Sequence, residues 1–261
     1  MYKRQGYYSY KSGHKPIFKG SEDFVGQIIH PQEWNSTIDY ENKKVAVIGS
    51  GATAVTLVPQ IAKKASHVTM IQRSPTYIAS VPSKYKILHL LNYISPKFGY
   101  KIIRFTNILR QRRIYRRARR SPELVKDYLL GLVRDELPDF DIEKHFTPSY
   151  NPWEQRLCLA PDSDFFESIK QKRVSIETET IDSFSEKGVQ LDSGKLIEAD
   201  IIVTATGIKL QNFGGIRIFV DENEIDISKS FIYKSMMYTQ IPNFINTFGY
   251  INASWTLKAD L

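Results

Sequence analysis

The chain has 261 residues, of which 42% are hydrophobic and 25% charged, and its formal net charge is +8. This composition is that of an ordinary globular protein with a substantial core, and it excludes wholesale disorder and collagen-like repeats. The one cysteine, Cys158, excludes a disulfide framework, a CxxC redox pair and a Cys-rich zinc site, and no apolar run approaches the roughly 18 residues of a membrane span. Without an apolar signal region at the N-terminus, a cytoplasmic location is our default expectation.

The first predicted elements form a strand–helix–strand unit. Residues 43–48 end in four consecutive apolar residues before a glycine, which is typical of a buried parallel strand. We expect a helix over about residues 52–65, with a kink or a lost hydrogen bond at Pro59, and a second strand over 67–72. This βαβ pattern predicts an α/β fold.

A helical segment follows this unit. Apolar residues recur at helical spacing across residues 84–145, and Pro96, Pro122 and Pro138 mark breaks within the pattern. The segment is therefore predicted to form several amphipathic helices inserted into the α/β framework.

Strands return in the last third of the chain. Residues 174–178 alternate between apolar and polar side chains, and residues 188–191 and 195–197 flank an Asp-Ser-Gly turn that suits a hairpin. Residues 200–207 predict a further buried strand that ends in glycine.

The positive charge lies in one segment. No acidic residue occurs between Glu41 and Glu123, and the 81 residues between them hold 17 Lys and Arg, so the rest of the chain is net negative. The densest part, residues 97–120, is predicted to attract an anionic partner: a dinucleotide phosphate, an acidic lipid surface or a nucleic acid. A merely solvated helix face is the alternative. Its basic residues are Lys97, Lys101, Arg104, Arg110, Arg112, Arg113, Arg116, Arg117, Arg119 and Arg120.

A glycine turn with the pattern GxGxxA connects the first strand to the helix. Its first glycine permits a tight turn, its second lets the backbone approach a pyrophosphate, and the alanine allows close packing of helix on sheet. A pyrophosphate would then lie on free N–H groups at the positive end of the helix. The predicted cofactor-binding residues of the turn are Gly49, Ser50, Gly51, Ala52, Thr53 and Ala54.

The end of the second strand distinguishes the two nicotinamide dinucleotides. An NAD site usually has Asp or Glu about 20 residues after the glycine turn, whereas Arg73 and Ser74 stand here and no carboxylate is near. Arg73 can bind a 2′-phosphate as a bidentate fork, and Ser74 or Thr76 can add a hydroxyl donor. We therefore predict NADP(H) rather than NAD(H), with a mere surface charge as the alternative role of Arg73.

The segment before the glycine turn fits the pattern FxGxxxHxxxW. Its four matching residues are Phe24, Gly26, His30 and Trp34. This pattern resembles the fingerprint of the Baeyer–Villiger monooxygenases, which precedes their NADPH-binding glycine motif. Related flavin-containing N/S-monooxygenases usually carry Phe or Tyr at the place of Trp34. Asn35, where Pro or Asp is usual, is a small departure.

Further stretches resemble the same flavoprotein family. The segment Ala205, Thr206 and Gly207 is similar to the ATG motif where the chain passes back into the FAD-binding domain. Residues 151–158 are similar to the segment with the family's catalytic arginine, which would be Arg156; an ion pair with Glu154 or Asp162 is the alternative role of that arginine. Residues 241–261 are similar to a stretch lining the flavin and substrate region, and the whole chain is most similar to the ethionamide-activating monooxygenase subgroup.

The resemblance implies a domain organisation. Residues 1–36 would be a linker and a partial FAD domain, residues 37–200 a Rossmann-type NADPH-binding domain with its helical insert at about 84–145, and residues 201–261 the return into the FAD-binding domain. No FAD-binding GxGxxG precedes Phe24. We therefore expect an internal fragment of a longer enzyme, with part of a second α/β domain.

The resemblance also implies a function, with FAD and NADPH as cofactors. The parent enzyme would use O2 to convert a ketone to an ester or lactone, or to oxygenate a sulfide or thioamide. His30 and Trp34 would position the domains without proton chemistry. The alternative is a catalytically inactive NADP-binding fragment whose basic segment 97–120 contacts anionic membranes. A nucleic-acid partner is not expected, because no binding motif accompanies the charge.

Overall fold

The computed structural model describes residues 8–84, 95–234 and 236–246, except for the side chain of Asn212. The predicted flavin-lining stretch 241–261 therefore lies largely outside the described residues, and so does the start of the helical segment at residues 85–94.

The predicted elements occur in their predicted order, with further strands and helices between and after them. The strands are β1 (Tyr8–Gly13), β2 (Gln27–Ile29), β3 (Lys44–Ile48), β4 (His67–Gln72), β5 (Tyr77–Val81), β6 (Leu157–Pro161), β7 (Val174–Thr178), β8 (Ile181–Ser185), β9 (Gly188–Leu191), β10 (Leu196–Glu198), β11 (Ile201–Thr204), β12 (Ile208–Leu210), β13 (Phe219–Val220), β14 (Asn223–Glu224), β15 (Ile232–Tyr233) and β16 (Met237–Tyr238). The helices are α1 (Ala52–Ile61), α2 (Pro96–Arg120), α3 (Pro122–Glu136), α4 (Ile142–Phe146) and α5 (Asp164–Lys170).

A five-stranded parallel sheet forms the centre of the molecule. Its strand order is β2–β11–β3–β4–β7, and all four neighbouring pairs are parallel. Val47 on β3 lies opposite Val203 on β11 and Met70 on β4, and these three side chains are fully buried. Apolar residues on both faces are expected where helices or other layers cover a parallel sheet. The α/β fold class is confirmed.

Helix α1 connects β3 to β4 and buries one face against the sheet. Ala54, Val55, Val58 and Ile61 are its buried apolar residues. Pro59 lies within the helix and cannot donate a backbone hydrogen bond. The helix ends at Ile61, earlier than predicted, because the next residues turn back toward β4.

The predicted helices of the inserted segment are present from Pro96 onward. Pro96 and Pro122 each occupy the first turn of a helix, where a missing N–H costs nothing. Helix α3 is amphipathic and buries Val125, Leu129, Leu130 and Val133 in the main core. Helix α2 differs from the amphipathic expectation, because Gly99 and Ala118 are the only buried residues that it contributes.

A small antiparallel sheet lies outside the central sheet, and the central sheet itself combines strands from distant parts of the chain. Strands β8, β9 and β10 form a meander, with the predicted hairpin turn between β9 and β10. Strands β2 and β11 come from the ranges 1–36 and 201–261, yet both lie in the same sheet as β3. The division into an NADPH and an FAD domain stays a prediction. None of the helices in the described ranges has the length and apolarity to cross a membrane.

Candidate functional site

The carboxyl ends of β3, β4 and β11 meet at one edge of the sheet and bring the glycine turn to the centre of that edge. The Gly49 N–H donates to the carbonyl of Ile71, at 2.8 Å. Gly49 has φ of 129°, and an added Cβ would stand 2.4 Å from the carbonyl oxygen of Ala205. Only glycine meets both requirements, so the turn can approach β11 this closely.

The second glycine of the turn faces open space. Gly51 is the N-cap of α1 with no side-chain cap bond, and a Cβ added to it would meet no described atom within 4 Å. Ala52 and Thr53 are exposed, and the first helical turn has no acidic residue. Ala54 is fully buried against the sheet, as the pattern predicts. The helix N-terminus therefore presents unpaired N–H groups to a space that an anion can fill.

Arg73 and Ser74 lie directly after β4, beside the glycine turn. Both side chains are exposed, and Arg73 forms no ion pair with the residues that the structure describes. The Ser74 carbonyl accepts a hydrogen bond from the Ser50 hydroxyl, at 3.4 Å. The strand end that carries Arg73 thus contacts the glycine turn, as required of a group that binds the same ligand.

Gln72, the residue before Arg73, is held in place by hydrogen bonds. Gln72 is buried, and its amide nitrogen donates to the carbonyl of His145 and to the hydroxyl of Thr178, each at 2.8 Å. The Thr178 hydroxyl can donate in turn to His145 Nδ1, also at 2.8 Å. Burial lowers the pKa of His145, with a smaller contribution from the neighbouring Lys144. The end of β4 is therefore held by a polar cluster built around a neutral imidazole.

Arg156 lies close to the glycine turn. Its Nε donates to Thr76 Oγ1 at 3.2 Å, and Thr76 Oγ1 lies 3.1 Å from Ser50 Oγ. Neither alternative ion pair of Arg156 is present: Glu154 bonds to Asn151 and lies 3.9 Å from Arg119, and Asp162 accepts from Ser83. The guanidinium is thus available for an external anion.

The backbone of Arg156 is fixed by two tyrosines. The Tyr150 hydroxyl donates to the Arg156 carbonyl at 2.8 Å, and the Tyr77 hydroxyl donates to the Tyr150 carbonyl at 2.9 Å. The two rings meet edge to face with centroids 5.5 Å apart. Burial raises the pKa of Tyr77 to about 12, so its hydroxyl remains a donor at physiological pH. This pair supports the loop that presents the arginine.

His30 of the fingerprint is a buried connector. Its Nε2 donates to the Gly207 carbonyl at 3.0 Å, and its Nδ1 accepts from the Gln32 N–H at 3.2 Å. The ring fills the space where a Cβ on Gly13 would stand, 1.9 Å from the ring carbon Cε1. With both nitrogens engaged, the imidazole holds two distant segments together and has no free position for proton transfer.

The segment Ala205, Thr206 and Gly207 is held by hydrogen bonds with His14 as well as with His30. The Thr206 hydroxyl donates to the His14 carbonyl at 2.6 Å, and the His14 N–H donates to the Gly207 carbonyl at 3.0 Å. The other fingerprint residues have structural positions elsewhere in the fold. Phe24 is buried in the smaller core, Gly26 leads into β2, and Trp34 packs edge to face on Tyr40. The roles of these residues toward a cofactor stay predictions.

The contacts of Thr76 were not predicted from the sequence. The sequence predicted that Ser74 or Thr76 donates to a phosphate, yet Thr76 is buried and its hydroxyl is engaged with Ser50 and Arg156. Ser74 is the exposed one of the two. The contact between Thr76 and Arg156 spans 80 residues, so no local pattern announces it. Tyr77 and Tyr150 were missed for the same reason.

Comparisons with known proteins identify relatives of the chain. Residues 4–108 match the family described as flavin-binding monooxygenase-like. The FAD-containing monooxygenase EthA of Mycobacterium tuberculosis (strain ATCC 25618 / H37Rv) is 50% identical over 98% of this chain and 53% of its own length. The probable FAD-binding monooxygenase AlmA of Acinetobacter baylyi is 48% identical over 98% of this chain and 52% of its own. The chain thus spans about half the length of the curated relatives it matches.

Solved structures agree on the fold. The open crystal structure of a cyclohexanone monooxygenase superposes with a TM-score of 0.62 at 20% identity, over 82% of this chain and 50% of that one. An oxidized steroid monooxygenase bound to NADP gives a TM-score of 0.60 at 20% identity, over 76% of this chain and 45% of that one. At this level of identity, the similarity supports the Rossmann-type α/β architecture.

Proposed function

We propose that the chain forms the NADPH-binding half of an NADPH- and FAD-dependent monooxygenase, because it is 50% and 48% identical to two FAD monooxygenases over 98% of its own length. The observation that carries the proposal is the open space over Gly51 at the N-terminus of α1, in a turn that contacts the strand end carrying Arg73 through Ser50 and Ser74. A space that a Cβ would enter without meeting protein is what a bound pyrophosphate requires.

The pyrophosphate and the 2′-phosphate of NADPH each have a proposed partner on the sheet edge. The pyrophosphate binds the backbone of the turn from Gly49 to Ala54, on the N–H groups that α1 leaves unpaired. The 2′-phosphate binds Arg73 as a bidentate fork, with Ser74 as a hydroxyl donor. No carboxylate is near Arg73 in the sequence to repel that phosphate.

The flavin side is proposed to adjoin the braced segment of Ala205, Thr206 and Gly207. When bound, FAD and NADPH supply hydride transfer and oxygen activation. The chain's own contribution is position and charge: the guanidinium cation of Arg156 can stabilise a negative charge forming at the sheet edge. His30 holds the braced segment in place through Gly207. We propose a ketone, sulfide or thioamide as the substrate class, with O2 as the second substrate.

The test of the proposed nucleotide preference is binding of NADP+ and NAD+ to the chain by isothermal titration calorimetry. We expect Arg73→Ala to weaken NADP+ by about 10- to 100-fold, the cost of losing charge-assisted hydrogen bonds, and to leave NAD+ nearly unchanged. Arg113→Ala, a change of the same kind on exposed α2, is the matched control and should alter neither. Equal losses for both nucleotides in Arg73→Ala would contradict the assignment.

A second proposal concerns helix α2. Eight of its basic residues are exposed and form no ion pair with any residue in the described ranges. Phe98 and Phe105 are 51% and 62% exposed. They lie on the helix face that also carries Lys101, Arg112 and Arg116. Exposed phenylalanines beside unpaired cations suit an anionic lipid surface. We propose peripheral contact with such a surface. The eight residues are Lys97, Lys101, Arg110, Arg112, Arg113, Arg116, Arg117 and Arg120.

Co-sedimentation with vesicles tests this second proposal. The chain should sediment with phosphatidylcholine vesicles that contain phosphatidylglycerol, should not sediment with pure phosphatidylcholine, and should be released by high salt. Phe98→Ser with Phe105→Ser should weaken sedimentation without removing any charge, while Tyr128→Ser on α3 serves as the exposed aromatic control. Equal sedimentation with neutral and anionic vesicles would contradict the proposal.

A further inference from the structure

A chain of hydrogen bonds with a defined direction connects Arg156 to the glycine turn. Arg156 Nε has a single hydrogen, which it donates to Thr76 Oγ1 at 3.2 Å. The Thr76 hydroxyl then donates its own hydrogen to Ser50 Oγ at 3.1 Å, and Ser50 donates to the Ser74 carbonyl at 3.4 Å. Every hydroxyl in this chain has one donor role and one acceptor role filled.

The two hydroxyls of this chain are shielded from water. Thr76 is 1% exposed and Ser50 is 8% exposed, whereas the Arg156 side chain is exposed. A buried hydroxyl does not exchange its partner for water at low cost, so the bond to Nε persists. Because the guanidinium is a rigid plane, fixing Nε fixes the orientation of the whole group.

The outer part of that group is free. Neither Nη1 nor Nη2 of Arg156 has a hydrogen-bond partner in the part of the chain that the structure describes. Ser50, at the far end of the hydrogen-bond chain, lies between Gly49 and Gly51 in the turn proposed to bind the pyrophosphate. The four remaining N–H groups of Arg156 are thus attached, through Thr76, to the element that would carry the anion.

We propose that Thr76 is a positioning residue, whose hydroxyl orients the Arg156 guanidinium so that an anion on the glycine turn is bound by the helix N-terminus and by the Nη groups together. The inference rests on the proposed function and adds a residue to it. The ligand it concerns is the diphosphate of a dinucleotide. The 2′-phosphate, which is assigned to Arg73, is not affected.

Two substitutions separate the hydroxyl of Thr76 from its shape. Thr76→Val keeps the volume and removes the hydrogen bonds, whereas Thr76→Ser keeps the hydroxyl. The probes are NADP+ and adenosine 2′-monophosphate, which carries the 2′-phosphate but no diphosphate, and their dissociation constants are measured by calorimetry on the whole chain. We expect Thr76→Val to raise the dissociation constant of NADP+ by about three- to tenfold and that of adenosine 2′-monophosphate by less than about twofold. Thr76→Ser should bind both probes as the unchanged chain does.

A double-mutant cycle tests whether Thr76 acts through Arg156. In the Arg156→Ala background, Thr76→Val should bring no further loss of NADP+ binding, because the group it positions is already gone. Ser50→Ala, which removes the other end of the hydrogen-bond chain, is a second variant should Thr76→Val fold poorly, and it should produce a smaller loss of the same selectivity. Thermal denaturation of each variant reports its folding.

The outcomes are distinct. Unchanged NADP+ binding in Thr76→Val, equal losses for both probes, or a full further loss in the Arg156→Ala background would each overturn the positioning role. Failure of the unchanged chain to bind NADP+ at all would instead overturn the proposed function, and this inference with it.

Discussion

The glycine turn and helix α2 both present positive charge, but they hold it in opposite ways. At the turn, the backbone N–H groups of α1 are fixed, and Arg156 is tied to a buried threonine. On α2, eight basic side chains are exposed and form no ion pair with the residues described. A fixed arrangement of donors suits one anion of defined shape, whereas exposed basic side chains without ion pairs suit a surface with many anionic groups. The same residue types therefore indicate two different kinds of partner.

The largest effect should come from filling the space over the turn. Gly51→Val should weaken both NADP+ and NAD+ by about 100-fold or more, because the new side chain occupies the place of the pyrophosphate. The fold should persist, since an added Cβ meets no described atom within 4 Å. Calorimetry measures the binding, and circular dichroism checks the fold.

The matched control for that substitution is Gly131→Val on α3. A Cβ on Gly131 also meets no described atom within 4 Å, but Gly131 lies in the inserted helices and away from the sheet edge. It should leave nucleotide binding unchanged. If Gly51→Val bound NADP+ as well as the control does, the space over the turn would not be the site.

A charge reversal on α2 should separate the two regions. Arg112→Glu with Arg116→Glu should weaken binding to anionic vesicles by about 30-fold or more, because each basic residue near such a surface contributes about 1 kcal/mol and the new carboxylates are repelled. NADP+ binding should change by less than about twofold, since both arginines are exposed and salt screens exposed charges. A large loss of NADP+ binding would show that the two regions are not independent.

A smaller effect concerns the rigid support under Arg156. Tyr77→Phe removes the hydroxyl that donates to the Tyr150 carbonyl and should lower the free energy of unfolding by about 1 kcal/mol. Urea denaturation measures it, with Tyr128→Phe on the exposed face of α3 as the control. If both variants had the same stability, the tyrosine pair would not support the loop.

The smallest effect should be a pH dependence of stability. Burial lowers the pKa of folded His145 below its unfolded value, so acid protonates the unfolded chain preferentially and stability falls as the pH drops through about 6.5. The melting temperature should therefore be lower at about pH 5.5 than at about pH 7.5. His145→Gln should reduce this difference, and a variant with the full dependence of the unchanged chain would contradict the assignment.

The sequence predicted the elements that obey a local rule. Strands β3 and β7 occur within one residue of their predicted positions, because an unbroken apolar run or a strict alternation marks a strand by itself. The glycine turn was predictable for the same reason, since its spacing encodes its geometry. Pro96 and Pro122, two of the three prolines predicted to mark breaks in the helical pattern, are the first residues of α2 and α3.

Contacts between distant residues were beyond such rules. His30 meets Gly207 across 177 positions, and Arg156 meets Thr76 across 80. The first contact depends on the pairing of β2 with β11 in the five-stranded sheet and the second on the parallel pairing of β5 with β6, and no local pattern specifies either pairing. The sequence therefore predicted Arg156 and His30 as functional residues by resemblance, without the partners that fix their orientation.

The most direct test of the central claim is a crystal structure of the chain with NADP+. The account predicts that the pyrophosphate lies over Gly51 at the N-terminus of α1, that Arg73 forms a bidentate contact with the 2′-phosphate, and that Arg156 keeps its bond to Thr76. A nucleotide bound elsewhere, or one whose 2′-phosphate lies away from Arg73, would contradict it.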